Sequence, residues 1–352
     1  MDVTKPRARL TRKTILPIIG GVVVFFLYIL LFQVDIREIM MTVQRADVSL
    51  FSMAIVVSFT EVFFSALSWR ALLNTLRVRI SIARSFLYTW YSIFIDTLIP
   101  AEGISGEVSR VYLVNQEQNG ISGKTVASVV IQRIIGMGIN AIMLIVSILV
   151  LLNTVQLTPL VFQLVLLFSV VVTLIIGLLL LVSWKEKWSE KIINGLVKAG
   201  EVLGRGRWKQ KLAKIKEEAG NANKMFHESM KEFGRNTSGL ILPTIFLILN
   251  WISSLTVPYL VFLSLGFHVS WAIIFIVSSI VIAIKSIPIG IPFEVGLPEM
   301  TMTTFYTLMG IPAGISATAT ILIRILTLWL RFGIGFAAQQ WIELKHAYMN
   351  TK

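Results

Sequence analysis

Residues 99–110 read Ile-Pro-Ala-Glu-Gly-Ile-Ser-Gly-Glu-Val-Ser-Arg, and residues 291–299 read Ile-Pro-Phe-Glu-Val-Gly-Leu-Pro-Glu. Each carries Ile-Pro-x-Glu, and a second glutamate follows five residues later, Glu107 after Glu102 and Glu299 after Glu294, at a common offset of 192. The surrounding stretches, 85–110 and 286–312, are apolar enough to enter a bilayer, yet Pro, Gly and carboxylates interrupt both. Irregular backbone at membrane depth survives only where protein buries it or water lines it. Both stretches are therefore expected to be re-entrant hairpins facing an internal cavity, bent at Pro100, Gly106, Pro292 and Gly296.

Outward from the hairpins, Glu107 precedes Arg133 by 26 residues and Glu299 precedes Arg324 by 25. A Gly-Ile-Ser stands before each arginine, at 120–122 and at 314–316. The pattern predicts a duplicated unit of helix pair, broken hairpin and Arg-bearing helix. The repeat halves are 15–183 and 239–342 of one transmembrane domain covering 1–352, with 184–238 between them. Counting spans gives two before the first hairpin and six before the second, so both hairpins are expected to open inward as a parallel repeat. A hairpin that crossed completely would make the halves inverted.

The composition sets the class. Of 352 residues, 55% are hydrophobic and 14% charged, against about 25% charged in soluble domains. An ordinary soluble enzyme is excluded, and with no Cys there is no disulfide, thiolate nucleophile or Cys-bound metal. The net charge of +13 sits in three blocks: +4 in residues 1–14, +4 in 69–85 and +6 in 184–238. Cations clustered beside apolar spans mark cytoplasmic loops that meet anionic lipid, not a nucleic-acid footprint. Residues 15–34 form an uncharged run of 20, enough to cross the roughly 30 Å hydrocarbon core. Further spans are expected at 48–69, two within 134–184, two within 236–284 and one from Gly314 to Trp341. The fold class is thus an all-α polytopic membrane protein of about seven or eight transmembrane helices plus the two hairpins, with a cytoplasmic N-terminus. Segment 184–238 alternates Lys, Glu and apolar residues at helical spacing and suits an amphipathic helix on the cytoplasmic interface.

Ionisable groups among spans are functional candidates by default, since leaving one in hydrocarbon costs about 3 kcal/mol or more. Ser316, Thr320, Arg324, Thr327 and Arg331 share one helix face; Arg133, Gly136 and Asn140 form a shorter equivalent, and Ser58, Glu61, Ser65 and Ser68 another. The candidate substrate-binding residues are Arg110, Arg133, Arg324, Arg331, Glu102, Glu107, Glu294 and Glu299. Two readings stand side by side: buried ion pairs Glu107–Arg133 and Glu299–Arg324 that pin the hairpins, or arginine forks that bind phosphate while carboxylates take protons or a cationic headgroup. His227 and His346 fall in charged segments and His268 in a short turn, so no metal or other cofactor is called for. Trp90, Tyr91 and Trp184 read as interface anchors. No soluble catalytic motif is present.

Pro100 to Arg110, followed by Val-Tyr-Leu, resembles the Pro, Gly-Gly-Glu, Arg and Tyr-Leu signature of the lysylphosphatidylglycerol synthase transmembrane region family, also called flippase-like domain proteins. Pro292 to Glu299 is similar to that family's Pro-Gly-Gly-x-Gly-x-x-Glu, and Leu308–Ile311 with Arg324 match its downstream Leu-Gly-Ile and helical Arg. The departures are Ser105 for one Gly of the first block and Phe293-Glu294 for the Gly-Gly of the second. The resemblance implies a stand-alone membrane part that moves lipid between leaflets of the cell membrane: an anionic phospholipid or a polyprenyl-phosphate glycolipid. Its partners are then membrane lipids, and self-association or a soluble lipid-modifying partner fits the same reading. An intramembrane lipid-modifying enzyme using the carboxylates as acid and base, and a non-catalytic subunit docking a partner through 184–238, are the rival classes.

Overall fold

The computed structural model describes residues 36–99, 104–118, 120–154, 209–285 and 296–349, with scattered positions between 163 and 195. Expected span 15–34, most of the second span in 134–184, and the bend residues Pro100, Glu102, Pro292 and Glu294 lie outside the described residues. The described chain is helical: α1 (Ile36–Gln44), α2 (Val48–Thr75), α3 (Ile82–Leu98), α4 (Ile104–Glu117), α5 (Ser122–Thr154), α6 (Lys209–Arg235), α7 (Ile241–Ser264), α8 (Trp271–Lys285), α9 (Leu297–Leu308), α10 (Ala313–Arg324) and α11 (Arg331–Met349). A 3-10 turn, Thr237–Leu240, leads into α7, and a wider π turn, Ile325–Leu330, joins α10 to α11. Four helical stretches are long and apolar enough to cross a membrane: Val48–Thr75, Ser122–Ser147, Thr237–Ser264 and Ala313–Leu344.

The boundaries follow from local chemistry. Asp47 begins α2 by accepting from the amides of Ser49 at 2.8 Å and Leu50 at 3.1 Å, and the Ser81 hydroxyl does the same for Arg84 at the start of α3. Gly120 and Gly310, both at positive φ (79° and 89°), make the turns before α5 and α10. The turn of the second half is therefore at Gly310; Gly314, read from sequence as its counterpart, lies inside α10.

Helices α2 and α7 pack along their length in opposite directions. Asp47 N donates to Ser264 O (2.8 Å), Asn250 Nδ2 to Glu61 O (2.8 Å), Ser68 Oγ to Pro243 O (3.0 Å) and Thr75 Oγ1 to Gly239 O (3.3 Å). In a lipid solvent apolar burial drives no association between helices, so such hydrogen bonds and close packing of small residues hold the pair. The 192-residue offset carries 48–75 onto 240–267, and those two segments lie antiparallel. The described part of α8 is 15 residues, and it packs against α9.

Helices α3 and α4 also lie antiparallel. Arg84 Nη1 meets Glu117 Oε2 at 2.9 Å, the Tyr88 hydroxyl donates to Glu117, and Gln118 Nε2 donates to Arg79 O at 2.9 Å, so both ends of the pair meet at the Thr75 end of α2. Helix α3 rests on α11 and α8 rests on α5. At Gly335 a Cβ would stand 2.8 Å from both Phe94 Cβ and Trp90 O, so glycine is what lets α11 approach α3. The largest apolar core gathers α7 to α10 around Phe262, Ile274, Ile276 and Tyr306. Amphipathic α6 lays Phe226 and Phe233 on Leu72, Leu76, Ala127 and Ile131, at the basic end of α2 and α5.

Candidate substrate site

The first constellation surrounds the α3–α4 pair. Asp96, on the last turn of α3, accepts from Ser105 Oγ and from Gly106 N, each at 2.6 Å, and so satisfies the start of α4. This contact requires glycine: a Cβ on Gly106 would collide with the Asp96 carboxylate and stand 2.5 Å from Ser92 O. One residue on, Glu107 faces Arg133 of α5 at 3.4 Å, both partly exposed. One turn further, Arg110 is buried. Its Nη1 donates to Gln132 Oε1 at 3.3 Å, its Cζ lies 5.0 Å over the Trp69 ring, and its Nε has no hydrogen-bond partner. Gln132 is held in turn by donating to Ser65 O at 3.0 Å, and Trp69 Nε1 donates to Ser128 Oγ at 3.1 Å.

The second constellation is tighter and drier. Arg324 Nε donates to Glu299 Oε1 at 2.6 Å, with side chains 9% and 4% exposed, and the other carboxylate oxygen accepts from Gly296 N at 2.7 Å. Thr303 Oγ1 and Thr320 Oγ1 sit 3.2 Å apart beside the pair. Both carboxylate oxygens of Glu299 are thus engaged, one by α10 and one by the amide at the start of α9. A buried pair survives in low dielectric only with such added hydrogen bonds.

A third pair joins the halves. Arg331, the first residue of α11, donates to Glu61 of α2 and reaches Ser58 Oγ at 3.5 Å. The π turn just before Arg331 widens the helix between the two arginines, a device that often accompanies functional groups. The position of Arg331 in the other half is Asn140, whose Oδ1 accepts from Trp251 Nε1 at 3.2 Å.

The structure therefore brings together Glu107 with Arg133, and Glu299 with Arg324, as the spacing suggested, and keeps Arg110 beside them in the first half. Arg331 meets a carboxylate on a spanning helix, Glu61 of α2. Asp96, Glu61, Gln132 and Trp69 complete the sites. Asp96 and Glu61 were visible as acids in apolar runs, whereas nothing in the pattern signalled Trp69 or Gln132. Two further readings are corrected. Trp90 is 4% exposed, packed on Phe59 and Phe86, and is no interface anchor. His227 is 4% exposed and hydrogen-bonded to Ser189 Oγ at 2.7 Å, because α6 turns it toward the protein. Among the described residues no group of His, Asp and Glu could hold a metal ion.

Apolar helices long enough to cross a bilayer, carrying arginine–carboxylate pairs between them, define a multi-pass membrane protein with a polar interior. Residues 18–335 match the model of the lysylphosphatidylglycerol synthase TM region, and the chain belongs to that family. It is 24% identical over 327 residues to a UPF0104 membrane protein of Pyrococcus horikoshii, covering 92% of this chain and 95% of the relative. A UPF0104 membrane protein of Methanothermobacter thermautotrophicus is 23% identical over 330 residues, covering 92% and 94%. The family ties the chain to membrane lipid.

Proposed function

We propose that this protein carries a phosphate-bearing lipid, a phospholipid or polyprenyl-phosphate glycolipid, between the leaflets of the cell membrane, without chemistry on the lipid. The observation that carries the reading is reciprocal packing. The segments related by the 192 offset, α2 and α7, lie antiparallel against each other, while α3 of the first half rests on α11 of the second and α8 of the second rests on α5 of the first. This exchange is what an inverted repeat about an axis in the membrane plane produces, and in transporters built this way one half rocks against the other around a site near the midplane. The α3–α4 and α8–α9 pairs are its re-entrant hairpins, opening at opposite ends. Each is joined to an Arg-bearing helix by a carboxylate, Glu107 to Arg133 and Glu299 to Arg324.

Arg70, Arg77, Arg79 and Arg84, together with α6, gather at one end, which the positive-inside rule assigns to the cytoplasm. The first hairpin then opens inward and the 265–270 loop faces outward.

Reconstituted vesicles containing fluorescent phosphatidylglycerol in both leaflets test the proposal. Dithionite should bleach well beyond the half that empty vesicles lose. Bleaching equal to empty vesicles for phosphatidylglycerol, phosphatidylethanolamine and a polyprenyl phosphate alike would reject it.

A further inference from the structure

Among the described residues of the candidate site, Arg133, Arg324 and Arg331 each hold a carboxylate: Glu107, Glu299 and Glu61. Arg110 does not. It is 8% exposed, its one hydrogen-bond partner is the neutral Gln132 amide, its Cζ lies over the Trp69 ring and its Nε is buried without a partner; Glu107 and Asp96 act on it through space, with no ion pair. The acids nearby are committed. Glu107 faces Arg133, and Asp96 accepts from Ser105 Oγ and Gly106 N. A buried guanidinium held by no direct ion pair, and with one nitrogen unsatisfied, is costly, so its presence calls for a reason beyond packing. The fold itself needs no cation here. At the 192 offset the second half has Met302, 6% exposed and part of the apolar core.

We propose that Arg110 is the phosphate-binding residue and that the two hairpins are chemically unequal. The Nε edge of a guanidinium is one arm of the fork that grips two oxygens of a phosphate side-on. Gln132 pins Nη1 and Trp69 lies against the plane of the group, so that Nε is left without a protein partner. Glu299 already occupies the Nε edge of Arg324, which makes the second hairpin a neutral latch and not a second anion site. The phosphate is thus bound at the hairpin whose base lies at the basic end of the molecule. That the phosphate belongs to a lipid rests on the transport reading; the anion site itself does not.

The test uses the full chain in maltoside micelles, with three probes: dihexanoyl phosphatidylglycerol, inorganic phosphate and dioctanoylglycerol. Arg110→Met, which copies the residue of the second half, should melt at or above the wild-type temperature and bind phosphatidylglycerol about tenfold or more weakly, the fold-change expected for losing a charge-assisted hydrogen bond. Arg110→Lys should fall between the two. Inorganic phosphate bound as tightly as the lipid, and lost in Arg110→Met, supports the site and makes its ligand a free anion. Arg110→Met that binds within twofold of wild type overturns the proposal, as does dioctanoylglycerol binding as tightly as phosphatidylglycerol. If Arg110→Met fails to fold, Arg110→Lys decides: wild-type melting with wild-type binding is the signature of a merely structural cation and also overturns it. Arg110-dependent binding in a protein that fails to scramble lipid would remove the transport reading and leave this one standing.

Discussion

Arg324 Nε lies 2.6 Å from Glu299 Oε1, across two helices, with both side chains almost wholly enclosed. Replacing Arg324 with Met leaves the carboxylate with its Gly296 amide but no countercharge, a loss of about 3–5 kcal/mol. The double variant Arg324→Met/Glu299→Gln should recover most of that loss, read as the melting temperature in detergent. Equal melting of single and double variants would show that the two groups are not coupled.

Arg84 and Glu117 meet at 2.9 Å, but with Arg84 49% exposed. Solvent screening and side-chain entropy reduce such a pair to less than about 1 kcal/mol. Arg84→Ala should therefore shift the melting temperature far less than Arg324→Met, and a shift as large would mean that the base of the hairpin is drier than its exposure indicates.

Gly106→Ala drives a methyl group into the Asp96 carboxylate and Ser92 O. Helix α4 must move off α3, at a cost of about 1–3 kcal/mol, and Asp96 loses its hold on the Gly106 amide. A melting temperature unchanged by this substitution would contradict the close approach.

The chain has no cysteine, so paired cysteines read the helix directions cleanly. Thr60 Oγ1 lies 3.4 Å from Ser253 Oγ, and Thr60→Cys/Ser253→Cys should oxidise to a disulfide within the chain. Thr75→Cys/Ser264→Cys should not, since Thr75 meets Gly239 and Ser264 meets Asp47 at opposite ends of α2, whereas a parallel pairing at the 192 offset would bring them together. Crosslinking in the second variant alone would overturn the antiparallel arrangement.

Single cysteines test the orientation. In right-side-out vesicles an impermeant maleimide should label His268→Cys and leave Arg79→Cys unlabelled until the membrane is permeabilised. The reverse pattern would place the basic end outside.

The charge pattern made much of this legible. Residues that lipid would penalise had to turn inward, so Glu107 with Arg133 and Glu299 with Arg324 could be paired from their spacing alone. Contacts such as Arg331 with Glu61, 270 residues apart, leave no periodic trace, because any acid on any spanning helix could serve. Trp69 beneath Arg110 was equally silent, since a tryptophan near a helix end reads as an interface anchor until a neighbouring helix covers it. Hydropathy marks α8 only as apolar, and its packing on α9 and α5 came from the tertiary structure.

The sequence by itself determined that this chain lives in a membrane, which end carries the basic charge and which carboxylates and guanidiniums must be enclosed, because transfer to lipid is a property of each residue. Only the tertiary structure decided which acid meets which arginine, that α2 and α7 oppose each other, and that Arg110, among the described residues of the site, makes no ion pair. Those outcomes depend on which helix faces lie against one another, and packing between apolar helices is set by shape and a few polar contacts that no single segment contains.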